Sequence, residues 1–306
     1  MLRTNFNITK PPPYARVDLT HPLGRNCQLV CLFSDGQGTL NKIPGPISGE
    51  FKETPSVQYY QTFANLVPYI VAPLTPPVWT VNAAGRALLC DPNVCGMDMG
   101  FLYQRECYDI DYPEFAIGAT VARGQTVCII RRKIDTTLRA STLFGVEDGG
   151  LADSSRCGAH VPYSDGNVYW DYGGNGAPNR LVVGGLSFTT NVEKWIFTAG
   201  PQGSNIWRDG IKVGSQSTPL TRIVPAQFSD FTAWIINGGN HLGFAGDAQE
   251  FNFIMYIANQ WSDAQCEWWF GEPYAAFYTS FMTRHNFFSE VVAAGGINKT
   301  TDISFM

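Results

Sequence analysis

From residue 26 onward the chain repeats one pattern. A short run rich in β-branched and aromatic residues is followed by glycine, proline, asparagine or aspartate, and then by another run. The runs are "CQLVCLF" (27–33), "GRALLC" (85–90), "FAIGATVA" (115–122), "TVCIIRR" (126–132) and "STLFGVE" (141–147). "NVYWDY" (167–172), "RLVVGG" (180–185), "EKWIFTAG" (193–200), "NIWRDGIKVG" (205–214), "DFTAWIING" (230–238) and "EFNFIMYIA" (250–258) continue the series. Asp209-Gly210 sits between two of the short strands, where a two-residue hairpin turn needs residues that tolerate positive φ. Turn signals recurring every ten or so residues predict an all-β sandwich or barrel. With 306 residues, 44% of them hydrophobic, the chain has ample material for one large β core.

One segment departs from the strand pattern. "WSDAQCEWWFGEPYAAF" (261–277) opens with Ser262 and carries Gln265 three residues later, a capping box. Gly271 and Pro273 then limit the helix to 262–271. A lone late helix of this kind is expected across a sheet edge or the open end of the sandwich. The spacing divides the chain into an extended N-terminal arm (1–25), a sandwich domain (26–277) and a C-terminal arm (278–306). Residues 42–84, rich in proline and aromatics, read as loops and edge strands. The N-terminal arm contains the stiff run Pro11-Pro12-Pro13-Tyr14, and the C-terminal arm contains Phe287 and Phe288. These are the candidate docking residues, with folding back onto the chain's own domain as the alternative.

Charged residues make up 15% of the chain and the net charge is −5. "IIRRK" (129–133) is the densest basic run, so binding to nucleic-acid phosphates is not expected. The stretch 66–74 is short and broken by proline, which argues against a membrane span, and the first residues lack the apolar run of a signal peptide. Eight cysteines are scattered through the chain. Cys27 and Cys31 are spaced to share one strand face, and Cys90, Cys95 and Cys107 lack an evident fourth zinc ligand. Reduced, buried thiols without a metal or other cofactor are therefore expected.

The stretch "HVPYSDGNVYWDYGGNGAPNRL" (160–181) gathers the polar and aromatic residues of a possible site. Ser164-Asp165-Gly166-Asn167 is turn chemistry between two alternating strands. Strand parity puts Val168, Trp170 and Tyr172 on one face and Tyr169 and Asp171 on the other. Tyr163, Asp165, Asn167, Tyr169, Trp170, Asp171, Asn175, Asn179 and Arg180 form the candidate glycan-binding set: aromatic platforms flanked by polar fixers. Trp170 and Tyr172 also fit an ordinary sandwich core, and Asp171 and Arg180 a structural ion pair. Hydrolysis of a sugar bond needs two carboxylates facing each other at a set separation. Asp109 and Asp111 share parity but Pro113 interrupts before Glu114, Asp247 and Glu250 oppose each other, and Glu147-Asp148 lies at a turn. No nucleophile elbow, phosphate-cradling loop or D-x-D-x-D-G calcium loop occurs. No catalytic residue is assigned.

Several blocks resemble one family in sequence order. "HPLGRNCQLVCLF" (21–33), "GRALLCD" (85–91), "RCGAHVPYSDGNVYWDYGGNGAPNRL" (156–181), "EKWIFTAGPQGSNIWRDGIKV" (193–213) and "GDAQEFNFIMYIANQWSDAQCEWWFGEPYAAF" (246–277) resemble concanavalin A-like, laminin-G-like jelly-roll proteins of tailed bacteriophages. The resemblance implies a jelly-roll sandwich of two antiparallel sheets with a closing helix. It also implies a non-enzymatic virion structural protein of decoration, head-fibre or tail-fibre type, made in the host cytoplasm. Its expected partners are other capsid or tail proteins, copies of itself and, through the candidate set, host or environmental glycans. A carbohydrate-binding module and a polysaccharide depolymerase are the alternatives.

Overall fold

The computed structural model describes residues 2–6, 10–11, 15–33, 58–59, 78–90, 97–98, 120–121, 123–147, 156–223, 233–237 and 247–281. In chain order the strands begin with β1 (Leu2–Phe6), β2 (Arg16–Val17), β3 (Cys27–Cys31), β4 (Gln58–Tyr59), β5 (Val78–Asn82), β6 (Gly85–Cys90) and β7 (Met97–Asp98). Next come β8 (Thr120–Val121), β9 (Gln125–Lys133), β10 (Phe144–Glu147), β11 (Cys157–His160), β12 (Val168–Tyr172), β13 (Arg180–Val183) and β14 (Val192–Gly200). β15 (Gly203–Arg208), β16 (Ile211–Gln216), β17 (Arg222–Ile223), β18 (Ala233–Ile236), β19 (Gln249–Ile257), helix α1 (Asp263–Gly271) and β20 (Phe277–Phe281) complete the described elements.

Two antiparallel sheets make an all-β jelly-roll sandwich. One runs β13-β12-β11-β10-β18-β7-β4, the other β16-β15-β14-β9-β19-β6-β5, with β3 pairing β19 beyond β6. The turn expected at Asp209-Gly210 joins β15 to β16, both residues at positive φ (49° and 87°). Alternate side chains of both sheets meet between them. Phe144, Val168, Trp170 and Tyr172 from one pack with Val127, Ile129, Trp195, Phe197, Ile254 and Tyr256 from the other.

The centre of the second sheet is buried on both faces, along β9 and β14, and every residue of β19 is buried. Its outward residues Cys128, Ile130, Ile196, Phe253, Met255 and Ile257 are apolar and must be covered. Helix α1 provides part of that cover through Cys266 and Trp269, with the Ser262–Gln265 capping box formed as expected. The helix therefore lies on a sheet face rather than across an edge or open end. Strands that are apolar on both sides, instead of alternating, require a third layer.

The N-terminal segment supplies the rest of that layer. Ala15, Val17 and Leu23 are buried in it, and β1 and β2 both pair with β20. Pro11 is buried too, and Lys10 Nζ donates to Arg86 O. These residues pack on the chain's own domain, which corrects the expectation that Pro11 docks a neighbour. Pro12, Pro13, Tyr14, Phe287 and Phe288 lie outside the described residues.

Cys27 and Cys31 do not share a face. A bulge at Gln28 pairs Tyr256 with Leu29 but Ile257 with Cys27, which inverts the parity of the strand start. Cys27 consequently enters the layer under α1, while Cys31 points between the sheets. The six cysteines of the described residues are buried, and no disulfide joins any two of them.

At one end of the inter-sheet space the apolar rows give way to charge. Arg131 continues the inward row of Val127 and Ile129. It donates to Gln249 Oε1 at 2.6 Å and to Glu193 Oε2 at 3.4 Å. Glu193 also accepts from Arg208 Nη2 at 2.5 Å and Trp195 Nε1 at 2.9 Å. Beside it, Asp247 pairs with Lys133 and, at 2.6 Å, with Arg139. Arg131, Lys133, Glu193 and Asp247 are hidden from water, so each needs its partner to remain charged inside the fold.

Candidate functional site

The hairpin β11–β12 carries most of the candidate set. Tyr163 N donates to Asn167 O at 2.8 Å, Gly166 N to Tyr163 O at 3.0 Å, and Asn167 N to Asp165 Oδ1 at 2.9 Å. Gly166 holds φ +82°, the left-handed conformation the turn requires. Ser164-Asp165-Gly166-Asn167 therefore does fold as a turn.

Parity then sorts the candidates. Trp170 is fully buried, touches Phe144 and Phe197 at centroid distances of 5.6 and 5.7 Å, and donates Nε1 to Thr198 O at 2.9 Å. It is a core residue, which removes it from the glycan set. Asp171 faces outward but is 1% exposed. Arg156 Nε lies 2.9 Å from it, and Arg180 grips it through Nε and Nη2, both at 2.6 Å. Covered by two guanidinium groups, Asp171 is a structural anchor instead of a sugar contact. Asn175 is exposed and Asn179 half-buried in loop 173–179, and neither side chain hydrogen-bonds to the tyrosines.

Tyr163, Asp165, Asn167, Tyr169 and Arg180 do come together on the outer face. The rings of Tyr163 and Tyr169 stand perpendicular, 5.8 Å apart. Tyr169 Oη donates to Asp165, and Asn167 Nδ2 donates to Asp165 Oδ2 at 2.9 Å. Arg180 caps the Tyr169 ring at 4.9 Å. The Tyr169 hydroxyl holds the Asp165 carboxyl below its ordinary value, and the same bond raises Tyr169.

Three contributors were missed by sequence reasoning because only cross-strand register reveals them. His160 packs edge-on to both tyrosines, at 5.1 and 6.2 Å. Its Nδ1 lies 2.8 Å from Ser141 O, and since a carbonyl only accepts, Nδ1 carries the proton. Arg156 is the second. The third is a bare strip: Arg180, Asp171, Gly158, Gly145 and Ile235 fall in one row across five strands, and two adjacent positions in it have no side chain.

Burial lowers the His160 pKa below 6.5, and burial lowers His21 as well. A histidine whose folded pKa is depressed binds fewer protons folded than unfolded, so stability falls as pH drops below the unfolded value. The wild type is expected to lose stability from pH 6.5 downward, a loss complete once pH passes below the depressed folded value. Urea midpoints of wild type and His160→Gln, measured between pH 7.5 and 4.5, check this. A variant that retains the full slope counts against His160 as a contributor.

The buried carboxylates Asp171, Glu193, Asp247 and Glu250 are each ion-paired to at least one arginine or lysine. Asp109, Asp111, Glu114 and Asp148 lie outside the described residues, as does the Glu147 side chain. Among the described residues no group of three or more His, Cys, Asp or Glu is placed to hold a metal ion. No described helix is long and apolar enough to cross a membrane.

No family model matches the chain, and no curated protein matches it. Solved structures overlap it in part. A Trypanosoma rangeli sialidase is similar over 60% of this chain and 27% of its own, with 11% identity and a TM-score of 0.40. Domain 4 of the Geobacillus stearothermophilus arabinanase AbnA, in complex with arabinotriose, is similar over 65% and 82% (10% identity, TM-score 0.39). The Ruminococcus gnavus IT-sialidase CBM40 bound to α2,3-sialyllactose is similar over 58% and 93% (8% identity, TM-score 0.44). The sandwich assignment rests on the chain's own strand pairings.

Proposed function

We propose that this chain is a non-catalytic glycan-recognition sandwich whose binding surface is the outer face of the β11–β12 hairpin. The observation that carries the reading is the convergence of Tyr163 and Tyr169 at the surface beside Asp165 and Asn167. The ring surface of Tyr163, and that of Tyr169 not covered by Arg180, can meet sugar C–H groups, and the fixed amide and carboxylate meet hydroxyls. The turn holds these groups in place before any ligand arrives, which lowers the ordering cost of binding. The resemblance of residues 21–277 to phage jelly-roll proteins supports a virion setting, with copies of the chain and other virion proteins as neighbours. Repeated copies would raise weak single-site affinity by avidity.

Immobilised oligosaccharides, probed with the intact protein, test the reading. Binding is expected, and Tyr163→Ala and Tyr169→Ala are each expected to lower the affinity by about tenfold or more, the value of one desolvated aromatic contact. Circular dichroism of each variant reports the fold. Absence of binding to every saccharide, or folded variants that bind as wild type does, rules the surface out.

A further inference from the structure

We infer that the glycan surface selects carboxylate-bearing saccharides, using Arg156 and Arg180 as a clamp. This rests on the proposed glycan-binding function and specifies its ligand class. Two guanidinium groups share the single carboxylate of Asp171. Both arginine side chains remain partly open to solvent, at 26% and 28%.

Their unused donors are well defined. Arg156 meets Asp171 through Nε and Arg180 through Nε and Nη2. Among the described residues Arg156 Nη1 and Nη2 and Arg180 Nη1 have no hydrogen-bond partner. Asp171 thus fixes the two planar groups without consuming them, and fixed guanidinium forks match the planar geometry of a carboxylate. Beside them Gly158 and Gly145 carry no side chain, and the atoms nearest to a Cβ built at Gly158 are the backbone of Phe144 and Gly145. A sugar ring can therefore lie on the strip next to the clamp and still reach Tyr169. Asp165 keeps its negative charge, but it sits at the hydroxyl end of Tyr169, whereas Arg180 stands over the ring face.

The test uses neutral, hexuronic-acid and sulfated oligosaccharides on one array. Calorimetry then compares oligogalacturonate with its carboxyl-reduced form. The wild type is expected to bind the acidic form about tenfold or more tightly, the yield of charge-assisted hydrogen bonds. Arg156→Gln is expected to collapse that ratio toward one, and Arg156→Lys to restore only part of it, since an ammonium keeps the charge but lacks the fork. Unfolding midpoints of both variants show whether the fold is intact. Equal wild-type affinity for the acidic and reduced forms overturns the clamp while leaving glycan recognition standing. A preference for sulfated over carboxylated sugars overturns the carboxylate assignment. Binding to no saccharide removes the functional reading itself.

Discussion

Glu193→Ala is expected to destabilise the protein by about 3–5 kcal/mol, the cost of removing one partner from a buried ion pair. Arg131 is fully buried and its charge is balanced there by Glu193, with Gln249 contributing only a neutral acceptor. The substitution would also release Arg208 and leave the Trp195 indole N–H without the carboxylate it donates to. Each buried donor left unmade adds to the loss. Guanidinium denaturation followed by far-UV circular dichroism checks this, with the midpoint expected to fall at nearly unchanged slope. Lys212→Ala is an informative control. Its ammonium pairs with Asp263 where both side chains are open to solvent, so screening leaves that ion pair little weight. A Glu193→Ala midpoint close to wild type would mean that the charges at this end of the sandwich do not depend on one another.

Trp170→Ala is expected to cost about 3–5 kcal/mol, as large-to-small changes at well-packed aromatic positions do. Three terms act together. Contacts with Phe144 and Phe197 vanish, a cavity opens between the two sheets, and Thr198 O loses its indole donor. Trp170→Phe retains part of the packing and should fall between the two. The same pair of variants decides between core and ligand platform. In Trp170→Phe, provided its circular dichroism is native, saccharide affinity should match wild type, because the ring points between the sheets. Loss of binding in that folded variant would return Trp170 to the ligand surface.

The sequence makes local geometry legible wherever a short motif dictates it. Asp209-Gly210, Ser164 to Asn167 and the Ser262–Gln265 cap all form as their chemistry requires, because each is decided within a few residues. Strand parity likewise separates Trp170 from Tyr169 and Asp171. What stays hidden depends on distant partners. No property of "CQLVC" announces that Gln28 bulges against Tyr256, so the relation of Cys27 to Cys31 inverts. The "KPPPY" run gives no sign that the strands flanking it close on β20. The helix position follows from apolar residues on the far side of β9, β14 and β19, which an alternating pattern would not show. At the candidate site, Arg156 and Gly145 belong to it only through the cross-strand register.

The placement of β19 governs how this chain must fold. β19 is the spine of its sheet, flanked by β9 on one side and by β3 and β6 on the other, yet it is made after all of them. While the ribosome is still upstream of residue 249, β9 and β3 have no strand between them, and the backbone edges that β19 will pair stay open. Pairings that span most of the chain also make folding slow, because loop closure precedes the gain from contact. A nascent chain arrested before Gln249 should therefore be sticky and protease-sensitive, and synthesis and release of β19 with the residues that follow it should convert it cooperatively.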